Sequence, residues 1–308
     1  MDHRGKVVYK MVKKIGLALG GGFVRGAAHV GVLKVLEENG IRPRLMAGTS
    51  AGSFIASLYA SGWSIPELER MARKLKPGFF IDEFAAVENF FVMTAQIFFE
   101  AFRFSYPFRP ALGLMRGCKL EHFIRALLGK KKFEGLRMDL AIAAVDICTA
   151  AKVIFVSQSN ELHMRAKENQ VFITGVPIWE AVRASTSVPG LYEPKKIGDY
   201  LLVDGGLREN VPAQILKAMG AEVVIAVDLG NDGQDYKEPH NIVDVLTQTV
   251  DIIGSDTLEQ ILDEYADIRI RPLLKGVGPW DFGKVPYMIR QGELATRQLM
   301  PEILKAIY

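Results

Sequence analysis

Residues 14–40 read KIGLALGGGFVRGAAHVGVLKVLEENG, and the change of pattern inside them decides the fold. Lys14 to Leu19 is a short aliphatic run, the pattern of a buried strand. It gives way to three consecutive glycines, Gly20, Gly21 and Gly22. From Arg25 to Asn39 the spacing becomes helical, with Ala28, Val32, Val35 and Leu36 on one face. Asn39-Gly40 stops that helix, since glycine accepts the left-handed conformation that ends one. Strand, glycine turn and helix in under thirty residues make the opening unit of an α/β fold.

The same alternation continues outward. Arg44 to Ala47 reads as a second short strand, followed by a tight turn and a helix over Ala51 to Ala60. Ser64 to Lys76 reads as a helix opened by a capping box of Ser64 and Glu67. Further strands are predicted at Asp139 to Val145, Val153 to Val156, Leu201 to Val203, Val223 to Asp228 and Asp267 to Ile270. Helices are predicted near Val211 to Met219, Ile242 to Tyr265 and Pro286 to Ile307. Strand–helix alternation argues for an α/β sandwich with a mostly parallel sheet. No linker divides it, so the expectation is one domain over 13–308 behind a solvated extension, 1–12.

Composition narrows the function classes. The chain has 308 residues, 49% hydrophobic and 24% charged, and a formal net charge of +3. Its longest basic run, Lys130-Lys131-Lys132, is too short to argue for nucleic acid. The two cysteines, Cys118 and Cys148, form neither a disulfide framework nor a metal pair. No cluster has metal-ligand spacing, and no cofactor is expected. The apolar run Ile15 to Leu19 is too short for a signal peptide, and no stretch reaches the ~18 apolar residues of a membrane span. A cytoplasmic protein, with peripheral membrane contact open, is the expectation. Ten of the 17 phenylalanines lie between Phe79 and Phe108. Two readings of 79–110 stand side by side: a helical cap packed on the core, and a lid or lipid-facing surface flanked by Arg103, Tyr106 and Arg109. Self-association through the same stretch is compatible with both.

Three motifs carry chemistry. Gly48-Thr49-Ser50-Ala51-Gly52 is a G-x-S-x-G between a predicted strand and a predicted helix, the context of a nucleophile elbow. Its glycines allow a sharp turn, and the helix N-terminus favours developing negative charge. The pattern is common by chance, so its weight comes from its neighbours. The loop Gly20-Gly21-Gly22-Phe23-Val24-Arg25-Gly26 presents successive N–H groups suited to an anion, either a pyrophosphate or an acyl-transfer oxyanion. Its G-x-G-x-x-x-G spacing departs from the dinucleotide fingerprint, and the second strand ends in Ala47-Gly48 rather than in an acidic residue. Asp204-Gly205-Gly206 puts a carboxylate at a strand end; alone it reads as an ordinary turn. The five histidines offer no clear triad member. His3 lies in the extension, His29 and His122 in helical stretches, and His163 after a polar turn. His240, in a polar loop, is the one that chain order allows.

Together these motifs resemble the patatin-like phospholipases, in particular small bacterial members. The likeness extends to Ile15–Leu19, His29–Leu33, Arg183-Ala184-Ser185-Thr186-Ser187-Val188-Pro189-Gly190, Val203–Gly206 and Val223–Asp228. The resemblance implies a three-layer α/β/α sandwich with a mostly parallel central sheet. It implies a lipid or other acyl ester as substrate and a Ser–Asp dyad without histidine, matching Ser50 as nucleophile and Asp204 as base. Gly20, Gly21, Gly22, Phe23, Arg25 and Gly26 match the oxyanion loop, and Gly48 and Gly52 flank the elbow. Phe23 is a departure, since the family commonly has glycine or alanine there. Competing readings are an α/β-hydrolase using His240, a lipid-binding protein of the same fold with weak catalysis, and a nucleotide-binding module.

Overall fold

A computed structural model describes residues 13–103, 110–164, 169–230, 238–239 and 242–308. The extension 1–12 and His240 lie outside the described residues. The chain opens β1 (Ile15–Leu19), α1 (Ala28–Glu38), β2 (Leu45–Thr49), α2 (Ala51–Ala60), α3 (Ile65–Arg73) and α4 (Glu83–Ala101). It continues β3 (Gly113–Met115), α5 (Cys118–Leu128), β4 (Asp139–Asp146), β5 (Lys152–Phe155), α6 (Gln158–His163), β6 (Gln170–Ile173) and α7 (Ile178–Ser185). Next come β7 (Gly190–Tyr192), β8 (Lys195–Ile197), β9 (Tyr200–Asp204), α8 (Ala213–Ala218) and β10 (Val223–Val227). The chain closes with α9 (Ile242–Tyr265), β11 (Ile268–Ile270), α10 (Val285–Gln298) and α11 (Met300–Ile307).

The main sheet runs β11-β10-β1-β2-β4-β5-β6, with β9 on β4 and β8 on β9. The pairs β10–β11, β1–β10, β1–β2, β2–β4 and β5–β6 are parallel; β4–β5, β4–β9 and β8–β9 are antiparallel. Strands β1, β2 and β10 are buried on both faces, as the near-continuous apolar runs of a covered parallel sheet require. In β1, Ile15, Leu17 and Leu19 join one apolar cluster with Val32 and Val35 of α1 and Met288 of α10. Ala18 points the other way, into a second cluster with Leu216 of α8 and Leu262 of α9. The period of two along the strand thus sorts side chains into two cores, one on each side of a three-layer α/β/α sandwich.

Several sequence expectations shift in detail. The helix expected from Arg25 begins as a tight 3-10 turn, Phe23–Ala27, and becomes α-helical only at Ala28. The helix expected over 286–307 is two helices, with Leu299 between them. Short β3, β6, β7 and β8 lack an apolar pattern long enough to read from sequence. The Ser64–Glu67 capping box is present. Cys118 and Cys148 are exposed and unbridged.

Two features fix α1 against its surroundings. A Cβ built on Gly31 would stand 2.0 Å from the Ile289 carbonyl oxygen, and one on Gly292 would stand 2.0 Å from that of Ala28. Reciprocal glycines therefore let α1 and α10 touch backbone to backbone. His29, fully buried, donates from Nε2 to the Gly20 carbonyl at 2.8 Å, tying α1 to the end of β1. Burial pushes its pKa down from 6.5 to about 4, because a buried imidazole cannot readily hold charge.

Gly31→Ala forces the helices apart and should lower unfolding free energy by about 1–3 kcal/mol in urea titration. In the folded chain His29 stays neutral between pH 6.5 and 4 while the unfolded chain takes up the proton. Stability should therefore fall as pH drops through that window, by on the order of 3 kcal/mol. His29→Gln should flatten that part of the pH–stability curve, and an unchanged slope would place the titrating group elsewhere.

Candidate active site

The site forms where β2 ends. Ser50 follows the last residue of β2 and is the N-cap of α2, with φ 52° and ψ −124°. A non-glycine residue in this region is strained. Close packing around the turn holds it there. A Cβ on Gly52 would lie 2.0 Å from the Leu19 carbonyl oxygen, and one on Gly48 would lie 2.5 Å from Ser53 Cα. Both elbow glycines are thus required by close approach. The Ser50 carbonyl accepts from Ser53 Oγ at 2.6 Å and Phe54 N at 3.2 Å, which seats the turn on α2.

Asp204 reaches the same place through β4. Thr49 pairs with Ala143, and Asp204 pairs with Ala144. Because β5 occupies the other edge of β4 through the same residues, β2 and β9 must share one edge, end to end. Asp204 therefore begins where Thr49 stops. A Cβ on Gly205 would lie 3.0 Å from Thr49 Cγ2, which confirms the abutment. Asp204 is buried, and its Oδ1 accepts from Gly206 N at 2.8 Å.

The end of α7 grips both residues. Ser50 N donates to Ser185 Oγ at 2.8 Å, and Asp204 N donates to the Ser187 carbonyl at 2.9 Å. Ser187 Oγ in turn accepts from buried Arg183 at 2.6 Å. These serines lie in the stretch that carries the family likeness, but no sequence signal assigned them this work. Three small hydroxyl residues closing an apolar helix, before Val188-Pro189, would have been the clue.

The glycine loop lies against Ser50. A Cβ on Gly21 would come within 3.1 Å of Ser50 Cβ, and one on Gly26 within 2.7 Å of Ala51 Cβ. Its N–H groups are not equivalent. Gly20 N donates to the Val227 carbonyl at 3.0 Å. Gly21 N donates to Asn210, to Oδ1 at 3.0 Å and to the carbonyl at 3.3 Å. Buried Arg25 donates to the Gly22 carbonyl from its backbone N at 3.0 Å and from Nε at 3.3 Å. Among the described residues, the N–H groups of Gly22 and Phe23 meet no acceptor. Phe23 adopts φ 54°, the left-handed region in which glycine is at ease and phenylalanine is strained. Asn210 was not foreseen, and nothing in its local sequence announces it.

Ser50 lines an almost wholly apolar cavity. Its walls come from distant segments: Phe23, Phe54, Phe80, Phe123, Trp280 and Phe282. The rings pack in a chain, with centroids 6.0 Å apart for Phe23–Trp280, 5.4 Å for Phe80–Phe282 and 5.8 Å for Phe54–Phe123. No histidine is among the described residues that line it. His29 is held behind the loop at Gly20, and His122 is exposed on α5.

Comparison with known proteins agrees with this architecture. VipD from Legionella pneumophila superposes with a TM-score of 0.53 at 15% identity, covering 95% of this chain and 67% of that one; at that identity the likeness shows the fold. Lysophospholipase nte1 of Aspergillus fumigatus is 25% identical over 315 residues, 94% of this chain and 18% of the relative. Human Patatin-like phospholipase domain-containing protein 6 is 31% identical over 224 residues, 71% of this chain and 14% of the relative. The chain thus spans less than a fifth of the length of these relatives. The model of the patatin-like phospholipases matches residues 17–217, well over half of the chain and all of the Ser50, Asp204 and glycine-loop segments: the chain belongs to the patatin-like phospholipase family.

Proposed function

We propose that the protein hydrolyses lipid acyl esters through a Ser50–Asp204 dyad. The observation that carries this reading is the strained Ser50 at the floor of an apolar cavity, with Asp204 abutting its strand end. Asp204 accepts the Ser50 hydroxyl proton as Oγ attacks the ester carbonyl. The C–O bond to the alcohol then breaks, the leaving alcohol takes up a proton, and the acyl group stays on Ser50. Water attacks that acyl ester next, releases the fatty acid and regenerates the serine.

The oxyanion falls to the N–H groups of Gly22 and Phe23, since those of Gly20 and Gly21 are already spent on Val227 and Asn210. Donors held in place before reaction lose nothing to reorganisation when charge develops. Arg25 contributes by holding the Gly22 carbonyl, which orients the Gly22–Phe23 peptide rather than touching substrate. The Phe23 ring does not remove a donor; it forms one wall of the acyl cavity with Trp280. A cavity with so little polar lining suits an alkyl chain. The relatives named lysophospholipases support a lysophospholipid as the first substrate to try.

The test is labelling with a fluorophosphonate, which reports an activated serine, alongside hydrolysis of lysophosphatidylcholine. The native chain should label and turn over, and Ser50→Ala should do neither. Asp204→Asn should lose most activity, on the order of 10²-fold or more, while its thermal unfolding stays close to native. Absence of labelling in a folded native chain, with lipid still bound, would overturn the proposal in favour of a lipid-binding protein.

A further inference from the structure

The helix α4 is built inside out. Its one buried residue is Asn89, whose side-chain amide donates to the Gly113 carbonyl at 2.9 Å. At 100° per residue, Phe84, Phe90, Phe91, Ile97, Phe98 and Phe102 fall within one arc of about 140°, and all six are exposed. Phe84 is 93% exposed and the other four phenylalanines 56–66%. Glu83 and Thr94 lie in the same arc: Glu83 pairs with Lys119, and the Thr94 hydroxyl is spent on the Phe90 carbonyl at 2.8 Å. Asn89, Gln96 and Glu100 lie on the other side, and Glu88 at the border pairs with Arg116. A surface helix of a water-soluble domain does the reverse, burying its apolar stripe and exposing its polar one.

The five phenylalanines alone expose on the order of 600 Å², already at the upper end of the largest apolar patch on a typical monomer. The helix is firmly placed despite this. Asp82, just before it, accepts from the N–H groups of Gly117, Cys118 and Lys119 at 2.6–2.9 Å. Two residues earlier, Phe80 lines the acyl cavity, and its carbonyl accepts from Tyr192 Oη at 3.0 Å. Phe79, half exposed, stacks on the cavity residue Phe123 at 4.8 Å. The segment that leads into α4 thus packs against the cavity wall.

We infer that the outward face of α4 inserts into the surface of a lipid bilayer and holds the mouth of the Ser50 cavity against it. The inference rests on the proposed lipid substrate. An acyl chain leaving a bilayer for this cavity would otherwise cross water, and an apolar helix at the rim removes that gap. A bilayer also suits the shape of the patch. A convex row of bulky rings on a single projecting helix sinks ~5–10 Å into the headgroup–acyl boundary without a matching groove. Among the described residues no helix is long and apolar enough to cross a membrane, so α4 lies on the surface.

The test is flotation of the full chain with phosphatidylcholine vesicles, comparing native protein, Ser50→Ala and the triple variant Phe84→Ser, Phe91→Ser, Phe98→Ser. All three substituted rings are exposed, so the fold should survive, which circular dichroism checks. Native and Ser50→Ala should float equally, and the triple variant should lose binding at least tenfold. It should keep native turnover of p-nitrophenyl butyrate, a soluble ester, while losing turnover of vesicle lipid. Equal flotation of native and triple variant, or none by the native chain, would overturn the inference. So would a native dimer that the triple variant dissolves without any vesicle binding, which assigns the face to a second copy. Failure of the dyad instead appears as lost butyrate hydrolysis with flotation intact.

Discussion

One edge of β4 carries the arrangement on which the site depends. Ala143 pairs with the last residue of β2, and Ala144 pairs with the last residue of β9. Two strands far apart in sequence thus meet end to end on one edge, and both stop at the same height. The parallel strand delivers Ser50 and the antiparallel strand delivers Asp204. Neighbouring residues on one strand differ by only ~3.3 Å in position, so the register leaves little room for the two to separate. The end of α7 reinforces it, since Ser185 receives the Ser50 amide and the Ser187 carbonyl receives the Asp204 amide. A shift of one residue in either pairing would turn one of the two side chains to the opposite face of the sheet.

Around that junction the backbone polar groups are divided between structure and site. Three glycines in a row offer three N–H groups, yet two are consumed in holding the loop to β10 and to Asn210. Only the next pair is left without a protein acceptor among the described residues. The strain at Ser50 and Phe23 sits at the same spot, both with φ near +50°. Such strain persists only where surrounding contacts over-determine the backbone, and the packing of Gly52 on Leu19, Gly26 on Ala51 and Arg25 on Gly22 supplies them.

The aromatic residues divide into two populations that composition alone does not separate. Phe54, Phe80, Phe123, Trp280 and Phe282 turn inward and form the cavity. Phe84, Phe90, Phe91 and Phe98 of α4 turn outward, and the helix's buried position is held by Asn89. Within 79–110, Phe80, Ile81 and Ala86 pack on the core, and the exposed rings of α4 do not.

The strand–glycine–helix opening, the alternation that follows it and the family likeness are local patterns, and they are legible in the chain itself. The period of two in β1 and the helical spacing of α1 arise from backbone geometry common to all such elements, so sequence alone determined the α/β class and pointed to Ser50, Asp204 and the loop. What tertiary structure decided was non-local. Asn210 reaches Gly21 across 189 residues, and Trp280 reaches Phe23 across more than 250. Neither carries a local signal, because each acts through where the fold puts it. The same holds for which loop amides remain free and for the outward turn of α4. These follow from which partners the packed chain brings within hydrogen-bonding or van der Waals distance, and no periodicity encodes that.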